Sequence, residues 1–325
     1  MKLPRRRFLN LALGAATLPT VSRFAWAQSY PARPTRIIVG QAAGSGADFI
    51  ARLLGQRFSE RLGQPFIVDN RPGAAGNIAT EVVVSAPADG HTLLIVSQSN
   101  TINASLYNNL NFDFVHDITP IASFFRASLV MLVNPSVPVK TVPEFITYAK
   151  ANPRKINMAS AGTGSVQHIA GELFKFMTGV EMIHVPYRGS PPALNDLLVG
   201  RVQVMFDTTF TSIPHIRSGK LRALAVTTAT RVDVLPEIPV MADFVPGYEV
   251  TAWLGFGAPK DTPAAIIDML NREINIALAD PTIKARIASL GGMIFSSTPS
   301  DFGRFIGDEA NKWGKVIRAA NIKPD

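Results

Sequence analysis

Cysteine is missing altogether from this 325-residue chain. With it go disulfides, thiolate metal sites and any thiol nucleophile. The lack names no compartment, since an exported protein can do without cysteine. Other absences narrow the function further. The five histidines, His91, His116, His168, His184 and His215, show no pairing of the kind that sets two imidazoles on one zinc. There is no Gly-x-Ser-x-Gly elbow and no Gly-x-x-x-x-Gly-Lys-Ser/Thr phosphate loop. Gly44-Ser45-Gly46 and Gly162-Thr163-Gly164 both lack the third glycine of a dinucleotide fingerprint. No local catalytic motif is left and no cofactor is expected, although a catalytic set assembled from distant residues would leave no such trace. Beyond the first 27 residues no segment has the length or apolarity to span a bilayer.

An excess of acid is also lacking, and the formal charge of +8 tempts one toward nucleic acid. Residues 1–27, however, hold Lys2, Arg5, Arg6, Arg7 and Arg23 and no acid. The rest of the chain carries 27 basic and 24 acidic residues, a net of +3, with no basic run interleaved with aromatics. A nucleic-acid partner is therefore not expected. Met1 to Arg7 is a basic n-region, Phe8 to Val21 a moderately apolar core, and Ala25-Trp26-Ala27 a small-x-small cleavage site. Arg5-Arg6-Arg7-Phe8-Leu9 resembles a twin-arginine export signal, with a general secretory leader as the alternative. Residues 1–27 are expected to be removed and the mature protein to work in the periplasm.

What is present reads as α/β. Hydrophobic residues make up 47% and charged residues 17%, an ordinary globular balance. A chain this long divides more readily into two lobes than it fills one core. Strands are expected at Thr35–Val39, Phe66–Asp69, Thr92–Val96, Phe124–Val133, Val202–Asp207, Leu221–Thr227 and Thr251–Ala258, alternating with amphipathic helices. Such alternation argues for a parallel sheet with helices on both faces. Thr141 and Glu144 have the spacing of a capping box for a helix to Ala151. The segments group as residues 28–130 plus 250–325 in lobe 1 and 131–249 in lobe 2. A lobe inserted into one that the C-terminus completes implies two chain crossings, the wiring of a hinged clamshell.

The stretch from Ile156 to Thr178 organises the functional reading. A short strand meets Ser160-Ala161-Gly162-Thr163-Gly164-Ser165, and a helix follows with Val166, Ile169, Ala170, Leu173, Phe174 and Met177 in register. Glycine lets such a turn aim its N–H groups at one point, and the first helical turn has N–H groups without partners. With the helix dipole, the junction suits an anion such as a carboxylate. Gly40-Gln41-Ala42-Ala43-Gly44-Ser45-Gly46-Ala47-Asp48 is a second junction of the same kind, in which Asp48 either caps the helix or points into a site. Ser97-Gln98-Ser99-Asn100-Thr101 lies at a strand's C-terminal end, where open α/β sheets place ligands, unless it is a solvated loop. His168 falls at about N3 of the central helix, as a ligand contact or a packed first-turn residue. Tyr187 has a ring that either packs or meets a ligand, and Arg188 either clamps a carboxylate bidentately or faces solvent. Asp207 would bind an amine, order waters or brace a turn.

The chain resembles the extracytoplasmic solute receptors of tripartite tricarboxylate transporters, the Bug-type periplasmic binding proteins. The likeness covers essentially all of the mature chain. It rests on Asp69-Asn70-Arg71-Pro72-Gly73-Ala74-Ala75-Gly76, on Ser160-Ala161-Gly162-Thr163-Gly164-Ser165 with His168, and on Val185-Pro186-Tyr187-Arg188-Gly189-Ser190. Leu224-Ala225-Val226-Thr227, Leu235-Pro236-Glu237-Ile238-Pro239 and Trp313-Gly314 extend it. The resemblance implies a two-lobed type II periplasmic binding protein fold, with a ligand cleft between lobes and two crossover strands as hinge. It implies a monomeric receptor, not an enzyme, that holds a small organic carboxylate and delivers it to membrane permease subunits. It also implies that Gln41 to Asp48, including Ala43 and Ala47, hold a ligand carboxylate largely through backbone groups and bridging waters. The loop departs from the family pattern: Gln41 stands where an aromatic is usual, and Ser45 replaces the second glycine of a common pair. The rival functions are a periplasmic enzyme using Asp207, Asp48 or His168 as acid or base, and a ligand sensor for a membrane signalling protein.

Overall fold

The computed structural model describes residues 30–107, 109–289 and 291–324. The leader and its cleavage site lie outside the described residues. Alternating strands and helices begin with β1 (Thr35–Val39), α1 (Gly46–Leu62), β2 (Phe66–Asn70), α2 (Asn77–Val84), β3 (Thr92–Ser97) and α3 (Gln98–Leu106). A four-residue helix α4 (Phe114–Asp117) leads into the 16-residue strand β4 (Ile118–Val133). Then follow α5 (Val142–Ala151), β5 (Asn157–Ser160), α6 (Val166–Thr178), β6 (Ile183–Pro186), α7 (Ser190–Leu198), β7 (Val204–Thr208), α8 (Thr209–Arg217) and β8 (Arg222–Val226). The chain closes with β9 (Thr251–Pro259), α9 (Ala264–Ala279), α10 (Pro281–Ala288), β10 (Gly292–Ile294) and α11 (Pro299–Ala319).

The strands run in the order β2-β1-β3-β9-β4-β7-β5-β6, with β8 and β10 also paired to β4. Pairing is parallel within β2-β1-β3 and within β7-β5-β6, as the alternation predicts. It is antiparallel wherever β4 or β9 takes part. The uniform parallel sheet expected from sequence is thus broken in the middle, because these strands carry the chain between halves and not through a right-handed crossover.

The division is visible along β4 itself. Ile118 to Ser128 pair with β9, and Leu129 to Val133 pair with β7 and β8. At the changeover Thr227 N donates to Leu129 O, and Leu129 N donates to Thr227 Oγ1, both at 3.0 Å. Thr227 Oγ1 also donates to Val250 O at 2.7 Å. Two passages of chain, at Ser128–Leu129 and Thr227–Thr251, are therefore bonded side by side between a lobe built on β1–β3 and β9 (lobe 1) and one built on β5–β8 (lobe 2).

Each lobe has its own apolar core. Ile37, Val39, Leu54, Phe58, Phe124 and Phe256 pack in lobe 1. In lobe 2, Phe145, Ile169, Phe174 and Phe206 pack together, joined from lobe 1 by Ile102 and Leu106 of α3 and by Trp313 and Ile317 of α11. The capping box at α5 is half realised: Thr141 Oγ1 accepts from Glu144 N at 3.3 Å, but Glu144 Oε2 accepts from Lys140 N at 2.7 Å. Ser97 to Thr101 is not a loop, since Ser97 caps α3 and Asn100 Oδ1 accepts from Ser97 N at 2.8 Å.

Candidate functional site

Both glycine turns fold by one local rule. Ser45 and Ser165 are N-caps with extended backbone, and their hydroxyls accept from Asp48 N and His168 N, three residues on. The glycine before each serine is left-handed, with φ of 81° at Gly44 and 85° at Gly164, a region that costs a side-chain-bearing residue about 1–2 kcal/mol. The N3 side chain then reaches back to that glycine. Gly44 N donates to Asp48 Oδ2 at 3.0 Å, and Gly164 N donates to His168 Nδ1 at 3.2 Å. Asp48 and His168 thus each brace the turn they follow. Burial pushes the Asp48 carboxyl up, but hydrogen bonds from Arg52, Gly44 N and Asn70 outweigh it and hold the group below the ordinary carboxylate range.

The turns face one cavity of ≈ 590 Å³ between the lobes. Ser45, Gly46 and Ala47 line it at the start of α1, and Ser97, Gln98 and Ser99 at the start of α3. From lobe 2 come Ser165, Val166 and Gln167 of α6, Gly189 and Ser190 of α7, and Thr208 and Phe210 of α8. Five helices therefore begin at the same space, each with a positive dipole end, and all but α7, whose first turn holds Pro191 and Pro192, have first-turn N–H groups beyond those their caps take up. Arg188 is the one charged residue among the described lining residues, and no acid lines the cavity. Phe125, Trp253 and Leu254 supply an apolar floor. The indoles of Trp253 and Trp313 both donate to Glu309 Oε2, at 3.1 and 3.0 Å, which fixes that floor from α11.

The lobes meet around the cavity. Tyr107 Oη donates to Thr163 O at 3.2 Å. A Cβ on Gly164 would run into Asn103 Oδ1, and one on Gly189 would lie 2.9 Å from the Ala42 Cβ. Bare backbone at these two positions lets the halves approach.

The candidates separate into walls and supports. Gln41, Ser45, Gly46, Ala47, Ser97, Ser99, Gly162, Thr163, Ser165, Tyr187, Arg188 and Gly189 line the cavity. Ala43, Gly44, Asp48, Ser160, Gly164, His168 and Asp207 are not in its lining. Ser160 Oγ lies 2.6 Å from His184 Nε2 and accepts from Gly162 N at 3.1 Å, while His168 stacks on His184 with centroids 4.0 Å apart. Tyr187 turns its hydroxyl away, to Asp196 Oδ2 at 2.7 Å, and burial together with that carboxylate pushes the phenol up to about 12. Gln41 is held through its backbone carbonyl, which accepts from Asn70 Nδ2 at 3.1 Å. Sequence reasoning missed Ile78, Tyr107, Gln167, Phe210 and Trp253. Four of these are apolar or aromatic residues that look like core; only Gln167, polar at N2 beside the Ser165 cap, carried a local signal.

Two lobes closed on a cavity rich in helix starts define a solute-binding protein. Residues 50–322 match the tripartite tricarboxylate transporter family receptor, and the chain belongs to that family. Protein BugT of Bordetella pertussis is 36% identical over 300 residues, spanning 91% of this chain and 92% of BugT. Among solved structures, R. palustris Rpa4515 with adipate is 37% identical with a TM-score of 0.88, covering 91% of this chain and all of that one. The periplasmic binding protein BugD is 32% identical with a TM-score of 0.87, again over 91% of this chain and 100% of that chain. MatC from Rhodopseudomonas palustris, with bound malate, is 30% identical with a TM-score of 0.85, over 89% of this chain and 100% of that chain. The family is one of solute receptors, which removes the enzyme alternative.

Proposed function

We propose that this chain is an exported periplasmic receptor that captures a small organic carboxylate between residues 28–130 plus 250–325 and residues 131–249, then presents it to a tripartite-type permease. Adipate in one relative and malate in another support a carboxylate guest. The observation that carries the reading is the convergence of five helix starts on a cavity with no acid on its described lining. A helix end contributes about 0.3–1 kcal/mol when exposed and up to about 2 when partly buried. Micromolar binding needs about 8 kcal/mol, so charge-assisted hydrogen bonds at about 1.5–3 kcal/mol each supply the larger share. Arg188 is exposed at the cavity and has no ion-pair partner among the described residues, which leaves its guanidinium available to the guest. The paired passages at Ser128–Leu129 and Thr227–Thr251 serve as the hinge.

A thermal-shift screen of the mature protein against mono-, di- and tricarboxylates tests this. Ligand at about 100 times its Kd adds about 2.7 kcal/mol of stability. Arg188→Ala should lose most of the shift produced by the best ligand. A panel in which sulfonates or sugars stabilise the protein and carboxylates do not would end the proposal.

A further inference from the structure

Asp207 lies fully buried under the lobe-2 wall, and no cation pairs with it among the described residues. Every hydrogen bond it makes is accepted. Oδ1 takes Ser190 Oγ at 2.9 Å and Gln167 Nε2 at 3.4 Å, and Oδ2 takes Thr211 Oγ1 at 2.6 Å and Ser212 Oγ at 3.0 Å. Gln167 Nε2 donates as well to Ser190 Oγ at 3.0 Å. Both amide hydrogens of Gln167 and the one hydroxyl hydrogen of Ser190 are therefore directed inward. Turning the Gln167 amide over would set its oxygen against the carboxylate, so the network fixes its orientation. A proton on Oδ2 would leave both bonds to Oδ1 in place.

What remains for the cavity is lone pairs. Gln167 is 7% exposed and Ser190 6%, and both line the cavity. Gln167 Oε1 has no partner among the described residues and is not one of the buried atoms closed off from solvent. This side-chain pair differs from what surrounds it, since Arg188 and the starts of α1, α3, α6 and α8 offer N–H or hydroxyl groups to the same cavity. A plain carboxylate brings only acceptors and would meet the Gln167–Ser190 pair with lone pairs on both sides. Leaving such a group unpaired once the guest has covered it is worth about 5- to 150-fold in affinity.

We propose that Gln167 and Ser190, oriented by Asp207, select carboxylates that also carry an N–H or O–H donor, so that hydroxy- or amino-carboxylates are preferred over plain ones. This rests on the carboxylate reading above and adds the second recognition element to it. Calorimetry on the mature protein with matched trios tests it: plain, hydroxy and amino members at three, four and six carbons, such as succinate, malate and aspartate. The hydroxy or amino member should bind about tenfold tighter than its plain partner, and which one wins tells a neutral donor from a cationic one. Gln167→Met removes the acceptor and should bring the trio to within about twofold by weakening the donor-bearing member alone. Asp207→Asn, which lets the amide of Gln167 turn, should erode the same preference and serves if the first variant misfolds. A plain member that binds as tightly as the others, or a preference that survives both variants, overturns the assignment while leaving the receptor reading intact. Silence in every trio overturns it too, and the wider carboxylate panel then decides whether the receptor reading falls with it.

Discussion

The turns that open α1 and α6 share one construction and differ in where their charge sits. Gly44-Ser45-Gly46-Ala47-Asp48 and Gly164-Ser165-Val166-Gln167-His168 each combine a left-handed glycine, a serine cap and an N3 acceptor that takes the glycine N–H. In lobe 1 that acceptor is a carboxylate, and Arg52 neutralises it at 2.9 Å. In lobe 2 it is an imidazole, and the acid lies a layer deeper at Asp207, with hydroxyls and an amide for partners. The neutralised acid leaves the α1 N–H groups free to serve an anion. The acid without a cation among the described residues draws side-chain hydrogens of Gln167 and Ser190 toward itself. One backbone device thus yields two different faces, depending on how the nearest carboxylate is compensated.

The sharpest way to break the parallel is at the two glycines. A Cβ on Gly44 would meet nothing within 4 Å, whereas one on Gly164 would run into Asn103 Oδ1 from the other lobe. Gly44→Ala should cost about 1–2 kcal/mol of stability from left-handed strain alone. Gly164→Ala should carry the same strain and add an overlap present only when the lobes close, about 1–3 kcal/mol. Ligand affinity should fall about 5- to 150-fold in the second variant and change little in the first. Equal losses of affinity would mean that the lobes do not close on that contact. A smaller effect is expected at N3. Asp48→Ala strands Gly44 N–H and should cost about 1 kcal/mol in denaturant unfolding, the ordinary loss for a helix-end hydrogen bond. Asp48→Asn keeps an acceptor and should recover much of it.

The sequence carried the wiring more fully than the site. Periodicity located β1, β3 and α6, because apolar residues at periods of 2 and 3.6 state which face is buried. It missed α8, whose first turn uses Thr209, Phe210 and Thr211 and whose interior holds Pro214, so no clean helical pattern shows. It also took Ser97 to Thr101 as a cluster of ambiguous form, since Ser, Gln and Asn suit a cap and a loop alike. At the site, the loops that line the cavity were legible from glycine and serine, but the division of labour within them was not. Asp48 and His168 look reactive in sequence, and in the fold each accepts the N–H of the glycine four residues before it. Phe210 and Trp253 look like core and form part of the cavity wall, because only tertiary contact decides which apolar face a cavity opens onto.

The weakest test of the comparison is also the one in which the two acids pull in opposite directions. Asp48 is held below its ordinary 3.8 by hydrogen bonds from Arg52, Gly44 N and Asn70 that outweigh its burial. Asp207 is raised above 3.8 by burial, with the hydrogen bonds from Thr211, Ser190, Ser212 and Gln167 opposing. A depressed folded value means that Asp48 stabilises the protein above about pH 4 and that this is lost as pH falls through the depressed value. A raised folded value has the other sign: the Asp207 contribution is fully present below about pH 4 and declines as pH rises through the raised value. Denaturant midpoints taken from about pH 3 to about pH 7 separate the two. Asp48→Asn should flatten the loss of stability on the acid side, and Asp207→Asn should flatten the decline on the way up, whatever each does to the absolute midpoint. If both variants flatten the same limb, the carboxylates share one electrostatic environment and the contrast between the lobes fails. Opposite limbs would show that the two acids are compensated differently, Asp207 by burial without a cation and Asp48 with Arg52, the one cation placed against either acid among the described residues.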